Sequence, residues 1–174
     1  FEDGSTQGVL INVGSTDKFK DNTTLSFWAK LEDVSQTTTL IGNTPSGTDA
    51  YIVNIAGGTQ MEVEDDNGSP SARLDYNETL VNGRWYNFVL TRDSDSTNLS
   101  LYLDGTFRDS LDASAGNDLT LYWLGLGYST YNFDGLMRDV RYYDYELSAD
   151  QAASLYSGSY NVTPLHWWKL DEGH

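Results

Sequence analysis

Residues 133–156 read FDGLMRDVRYYDYELSADQAASLY, and this stretch decides the architecture. Its first half, DGLMRDVRYYD at 134–144, reads as a strand that ends in aromatic residues. In its second half Ser148 is followed three residues later by Gln151 and preceded by Leu147. A hydroxyl at the N-cap and an amide at the third helical position satisfy each other's backbone N–H groups, and an apolar residue before the cap staples the entry. The spacing predicts a helix near residues 148–156, about two to three turns long.

Moving outward from that stretch, the chain is alternation and turns, with almost no helical period. GVLINVG (8–14) reads as a strand. So does TTLSFWAKL (23–31), which sets Leu25, Phe27 and Ala29 on one face and Ser26, Trp28 and Lys30 on the other. TTTLIGN (37–43), YIVNIAG (51–57) and TQMEVED (59–65) follow, and Asn67-Gly68 turns the chain into SARLDY (71–76). RWYNFVLTRD (84–93) leads to TNLSLYLDG (97–105), where Asp104-Gly105 is a second turn signal, and LTLYWLGLG (119–127) completes the set. About ten or more short strands with one helix imply an all-β fold, two antiparallel sheets stacked as a sandwich or jelly roll.

Composition agrees and excludes several functions. The chain has 174 residues, enough for one core without staples, and its sixteen glycines and 13% aromatic content suit short strands joined by turns. A net charge of −16, from 26 acids against 10 bases, argues against nucleic acid and leaves a neutral ligand or calcium. There is no cysteine, hence no disulfide framework, thiolate zinc site or cysteine nucleophile. An animal extracellular module would more often carry a disulfide, so a bacterial, archaeal or viral source is expected. No stretch approaches the ~18 to 20 apolar residues of a membrane span, so membrane insertion is not expected. The first residue is Phe1, which reads as the start of a processed or excised piece.

The segments TTLSFWAKL, NGRWYNFVLTRD, LSLYLDG and 124–156, taken in order and spacing, resemble the concanavalin A-like lectin/glucanase superfamily, in its laminin-G-like and pentraxin-like branch. The resemblance covers about residues 1 to 156. Members of that branch begin with a strand like the WWKLDEG found here at 167–173, so the strand order is rotated. Residues 1–160 then form the sandwich, and 161–174 a closing strand carrying Leu165, Trp167, Trp168 and Leu170. That strand completes its own sheet, or that of a neighbouring copy, or is a stray boundary. Donation to neighbours would build a head-to-tail fibre, sheath or virion surface.

Catalytic chemistry is sparse. Glu62, Glu64 and Asp66 alternate on one strand face, about 6.6 Å apart, which is compatible with a glycosidase pair. The superfamily's catalytic strand resembles E-x-D-x-x-E, however, and no such string occurs. The only histidines, His166 and His174, lie in the tail, where His166 reads as a packing residue. A polysaccharide-cleaving enzyme is therefore the least supported reading.

Binding chemistry is better represented. Sugar C–H faces stack on aromatic rings while hydroxyls meet Asp and Asn, so Tyr128 and Tyr131 beside Asn132 and Asp134 form a candidate saccharide platform. Trp28, Trp85 and Trp123 are expected to point into the core. The resemblance implies a structural calcium ion, with Asp3, Asp134, Asp139 and Glu172 as candidate ligands, six to eight oxygens being needed. The expectation is a noncatalytic module of a secreted or surface-displayed protein that binds glycan or an extracellular protein. Strand-donating self-assembly is the alternative.

Overall fold

The computed structural model describes residues 8–11, 18–19, 22–42, 51–57, 60–65, 72–95, 98–112, 119–121, 123–125, 132–159 and 161–170. The strands in chain order are β1 (Val9–Leu10), β2 (Lys18–Phe19), β3 (Thr23–Leu31), β4 (Thr38–Gly42), β5 (Tyr51–Ala56), β6 (Gln60–Asp65) and β7 (Ala72–Asn77). They continue with β8 (Trp85–Arg92), β9 (Asn98–Leu103), β10 (Thr106–Asp112), β11 (Leu119–Thr120), β12 (Trp123–Leu124) and β13 (Gly135–Tyr143). Helix α1 (Ala149–Ser157) and β14 (His166–Trp168) complete the described elements. One six-stranded sheet runs β1-β12-β4-β5-β6-β7, and a second runs β10-β9-β8-β3-β13-β14. The expected all-β sandwich with one short helix is the observed architecture.

Alternation explains which residues meet between the sheets. Leu25, Phe27 and Ala29 of β3 and Tyr86, Phe88 and Leu90 of β8 are buried in one cluster with Val53, Ile55, Met61 and Leu74 of the first sheet. Phe27 stacks on Phe88 with ring centroids 5.0 Å apart. Each such burial contributes about 1.5–3 kcal/mol against exposure, and this summed apolar burial holds the layers together.

Local chemistry fixes the connections. Asp104 (φ 52°) and Gly105 (φ 71°) make the two-residue turn between β9 and β10, both in the left-handed region that such a hairpin needs. The Asp104 carboxylate accepts from the Asn87 N–H at 2.9 Å and from Arg84 at 2.7 Å. At Gly135 (φ 152°) a Cβ would run into the Lys30 carbonyl, so only glycine lets β13 enter alongside β3. The predicted capping box is present, with Ser148 Oγ accepting from Gln151 N and Gln151 Oε1 accepting from Ser148 N.

Four expectations need correction. TFRDSLD was not anticipated as a strand, yet it forms β10 on the edge of the second sheet. LTLYWLGLG divides into β11, paired with β2, and β12, inserted between β1 and β4. Trp28 and Trp85 are half-buried and lie outside the core cluster, because Phe27 and Tyr86 occupy the inward positions next to them. Trp123 is half-buried.

The tail pairs with the edge of its own sheet: Val140, Arg141 and Tyr142 of β13 face Trp168, Trp167 and His166 of β14. Trp168 and Leu170 pack against the core, whereas Leu165 and Trp167 are each 47% exposed. The indole N–H of Trp167 donates to Asp139 Oδ1 at 3.1 Å, and its ring faces Arg141 at 4.6 Å. His166 stacks between Tyr142 and Trp168, a packing role.

Candidate functional site

Strand register assembles a polar row that no single segment displays. Thr39 of β4 faces Asn54 of β5, Asn54 faces Glu62 of β6, and Glu62 faces Asp75 of β7. One neighbouring row contains Ile55, Met61 and Tyr76, and the other Val53 and Leu74, all buried in or packed against the core. Alternation therefore places Thr39, Asn54, Glu62 and Asp75 on the outward face of the first sheet. Glu62 is nevertheless only 6% exposed and Thr39 fully buried, so this outward face is enclosed at its centre.

Glu62 is the buried carboxylate of this row, and it has a partner of its own in the fold. A carboxylate and an amide position side by side offer acceptors and donors at the spacing of adjacent strands, about 4.7–4.9 Å. That array suits a hydroxyl-rich ligand.

The outward face of the second sheet is closed instead. Helix α1 lies on Val89, Tyr102 and Tyr143 through Leu147, Ala152 and Leu155. Its lead-in is tied to β3: Thr24 Oγ1 accepts from Leu147 N at 2.9 Å and donates to Tyr145 O at 3.0 Å, and Asn22 Oδ1 accepts from Glu146 N. Burial, with the Asp93 charge adding to it, raises the Glu146 carboxyl above the ordinary carboxylate range.

Of the expected saccharide residues, Tyr128 and Tyr131 lie outside the described residues. Asn132 and Asp134 are half-buried. The Asn132 carbonyl accepts from Thr38 Oγ1 at 3.0 Å, which anchors this segment one residue from Thr39, and its side-chain Oδ1 is buried with no hydrogen-bond partner. The Asp134 carbonyl accepts from Glu32 N.

Of the expected calcium ligands, Asp3 and Glu172 lie outside the described residues. Asp139 sits at the bulge of β13 with φ 52°, and its Oδ1 accepts from both Arg141 and Trp167. Its Oδ1 is thus shared by a guanidinium and an indole N–H, which leaves Oδ2 as the atom a cation would meet. Among the described residues no three histidines or acids converge to hold a metal ion. No described helix is long and apolar enough to cross a membrane. Asp66 lies outside the described residues, and Glu62 and Glu64 share β6. Sequence reasoning singled out Glu62 but missed Thr39, Asn54 and Asp75. Alternation within each strand places each of them on a face, but not beside Glu62.

The Laminin_G_3 family, described as part of the concanavalin A-like lectin/glucanases superfamily, matches residues 3–153. A search of curated proteins gives no significant match. Among solved structures, a candidate carbohydrate-binding protein from Bacteroides ovatus superposes with a TM-score of 0.67 at 17% identity, over 95% of this chain and 49% of that one. The chain thus spans about half the length of that relative. The CBM40 of Ruminococcus gnavus IT-sialidase, bound to α2,3 sialyllactose, gives 0.67 at 19% identity, covering 90% of this chain and 95% of that one. A heptameric SAP-like pentraxin from Limulus polyphemus gives 0.64 at 10% identity, covering 91% and 81%.

Proposed function

The chain belongs to the Laminin_G_3 family of the concanavalin A-like lectin/glucanases superfamily, and from that premise we propose that it is a noncatalytic module that binds glycan on the outward face of its first sheet. The row Thr39–Asn54–Glu62–Asp75 carries the reading, because its positions are polar and come abreast on one face, with the Glu62 carboxylate enclosed at its centre. Asn132 and Asp134, with Tyr128 and Tyr131, are proposed as a separate saccharide platform, since Thr38, which holds the Asn132 carbonyl, points to the opposite face of β4 from Thr39. The carbohydrate-binding description of the Bacteroides neighbour and the sialyllactose of the CBM40 neighbour support the ligand class. A secreted or surface-displayed setting belongs to the same proposal. Calcium is carried by the family resemblance alone, with Asp134 and Asp139 as its described candidates.

A glycan array, run with calcium and with chelator, tests this reading, followed by calorimetry on the best hit. Glu62→Gln is expected to weaken binding at least tenfold, about 1.4 kcal/mol, without new reducing ends from any polysaccharide. An array without hits in both conditions would remove the glycan reading. Cleavage abolished by Glu62→Gln would replace it with a hydrolase.

A further inference from the structure

The second sheet carries a separate cluster that the glycan row does not use. Beyond the area under α1, its outward face aligns Arg138 with Trp28 and Leu136 with Lys30 and Trp85. The Arg138 guanidinium carbon stands 4.4 Å from the Trp85 ring centre and 5.3 Å from that of Trp28. Trp28 in turn stacks on Tyr156 of α1, centroids 5.7 Å apart and planes 23° off parallel. The result is a ladder of four flat groups, Tyr156, Trp28, Arg138 and Trp85, that holds one guanidinium against two indoles at the surface.

Charge pairing makes this arginine unusual. Acids outnumber bases 26 to 10 in the chain, and the neighbouring cations have carboxylates: Lys30 with Glu32 at 2.8 Å, Arg84 with Asp104 at 2.7 Å and Arg141 with Asp139 at 3.2 Å. Arg138 is exposed, and its side-chain partners among the described residues are aromatic rings. A guanidinium fixed by ring stacking loses little further freedom when its N–H edge meets a carboxylate in a two-point contact. The edges of the half-buried Trp28 and Trp85 beside it offer apolar surface to a sugar ring.

We propose that Arg138, with Trp85 and Trp28, forms a second binding site that takes a carboxylate-bearing saccharide. The net charge of −16 selects the size of the ligand. A polyanion or a second copy of this acidic chain meets repulsion from the whole surface, whereas one carboxylate on a short sugar reads the local cation within a Debye length of about 8–10 Å. The site is independent of Glu62, which lies on the other sheet.

The test uses the five tryptophan indole N–H resonances of the labelled chain, assigned with Trp→Phe variants, and titrates in methyl galacturonoside, which bears one carboxylate, or its methyl ester. The acid should shift the Trp28 and Trp85 resonances saturably, and the ester should bind at least tenfold more weakly. Arg138→Gln should lose at least tenfold in affinity, and Arg138→Lys less. Should Arg138→Gln fail to fold, the acid-to-ester ratio on the unaltered chain decides alone. The site is overturned if neither resonance moves, if acid and ester bind alike, or if Arg138→Gln binds as tightly. Shifts that follow protein concentration without sugar overturn it too, by showing a second copy on this face.

Discussion

The two outward faces of the sandwich are made by the same alternation and end with opposite chemistry. On the second sheet the outward positions of β8, β9 and β13 supply Val89, Tyr102 and Tyr143, which are buried only because α1 lies on them. On the first sheet the outward row is Thr39, Asn54, Glu62 and Asp75, with the described helix packed on the other sheet. Under α1 the second face is therefore part of the hydrophobic core, whereas the first keeps a polar row at its centre. The difference comes down to side-chain type at outward positions, since strand count and pairing are alike.

The comparison breaks first if the helix-bearing face turns out to be dispensable. Leu155 is 1% exposed, and Leu155→Ala should cost about 2–5 kcal/mol of unfolding free energy in chemical denaturation. A loss under half a kcal/mol would show that α1 merely rests on the sheet.

On the glycan face, Glu62→Gln sharpens the contrast because stability and binding should separate. The tenfold loss of binding should come with little fall in melting temperature, since glutamine keeps the shape of the side chain and can still hydrogen-bond. A substantial fall in melting temperature would instead make Glu62 a folding residue and the two faces alike. Returning to α1, Ser148→Ala removes the hydroxyl that accepts from Gln151 N and should cost about 0.5–2 kcal/mol. The same denaturation curves read it, and no change in glycan affinity should accompany it.

Much of the fold was legible in the sequence, and the reason can be seen residue by residue. TTLSFWAKL coincides with β3, and the Ser148/Gln151 spacing with the capped start of α1, because both signals are local. The edge strand β10 escaped because TFRDSLD is polar, is exposed at most positions and carries a register shift between Phe107 and Asp109. Trp28 and Trp85, expected inward as alternating-strand aromatics, are turned outward because their immediate chain neighbours Phe27 and Tyr86 take the core positions. The glycan row was the least legible feature. Alternation puts Thr39, Glu62 and Asp75 outward one strand at a time, but the register that brings them abreast is fixed by how β4 to β7 pair, a long-range choice.

The smallest effect concerns the one carboxyl near α1 whose ionisation the fold opposes. Burial first, then the Asp93 charge, raises the Glu146 carboxyl above its unfolded value. A raised folded value means that the contribution of Glu146 to stability is complete below the unfolded pKa and is lost as pH rises through the folded one. Glu146→Gln cannot ionise, so the variant should melt slightly higher than the parent at pH 7 and at the same temperature below the carboxylate range. Because Glu146 is largely exposed, solvent screens the effect and the gap stays small. A gap of the opposite sign at pH 7, or one that widens on acidification, would mean that the turn into α1 favours the charged form. The helix-bearing face would then depend on an outward charge.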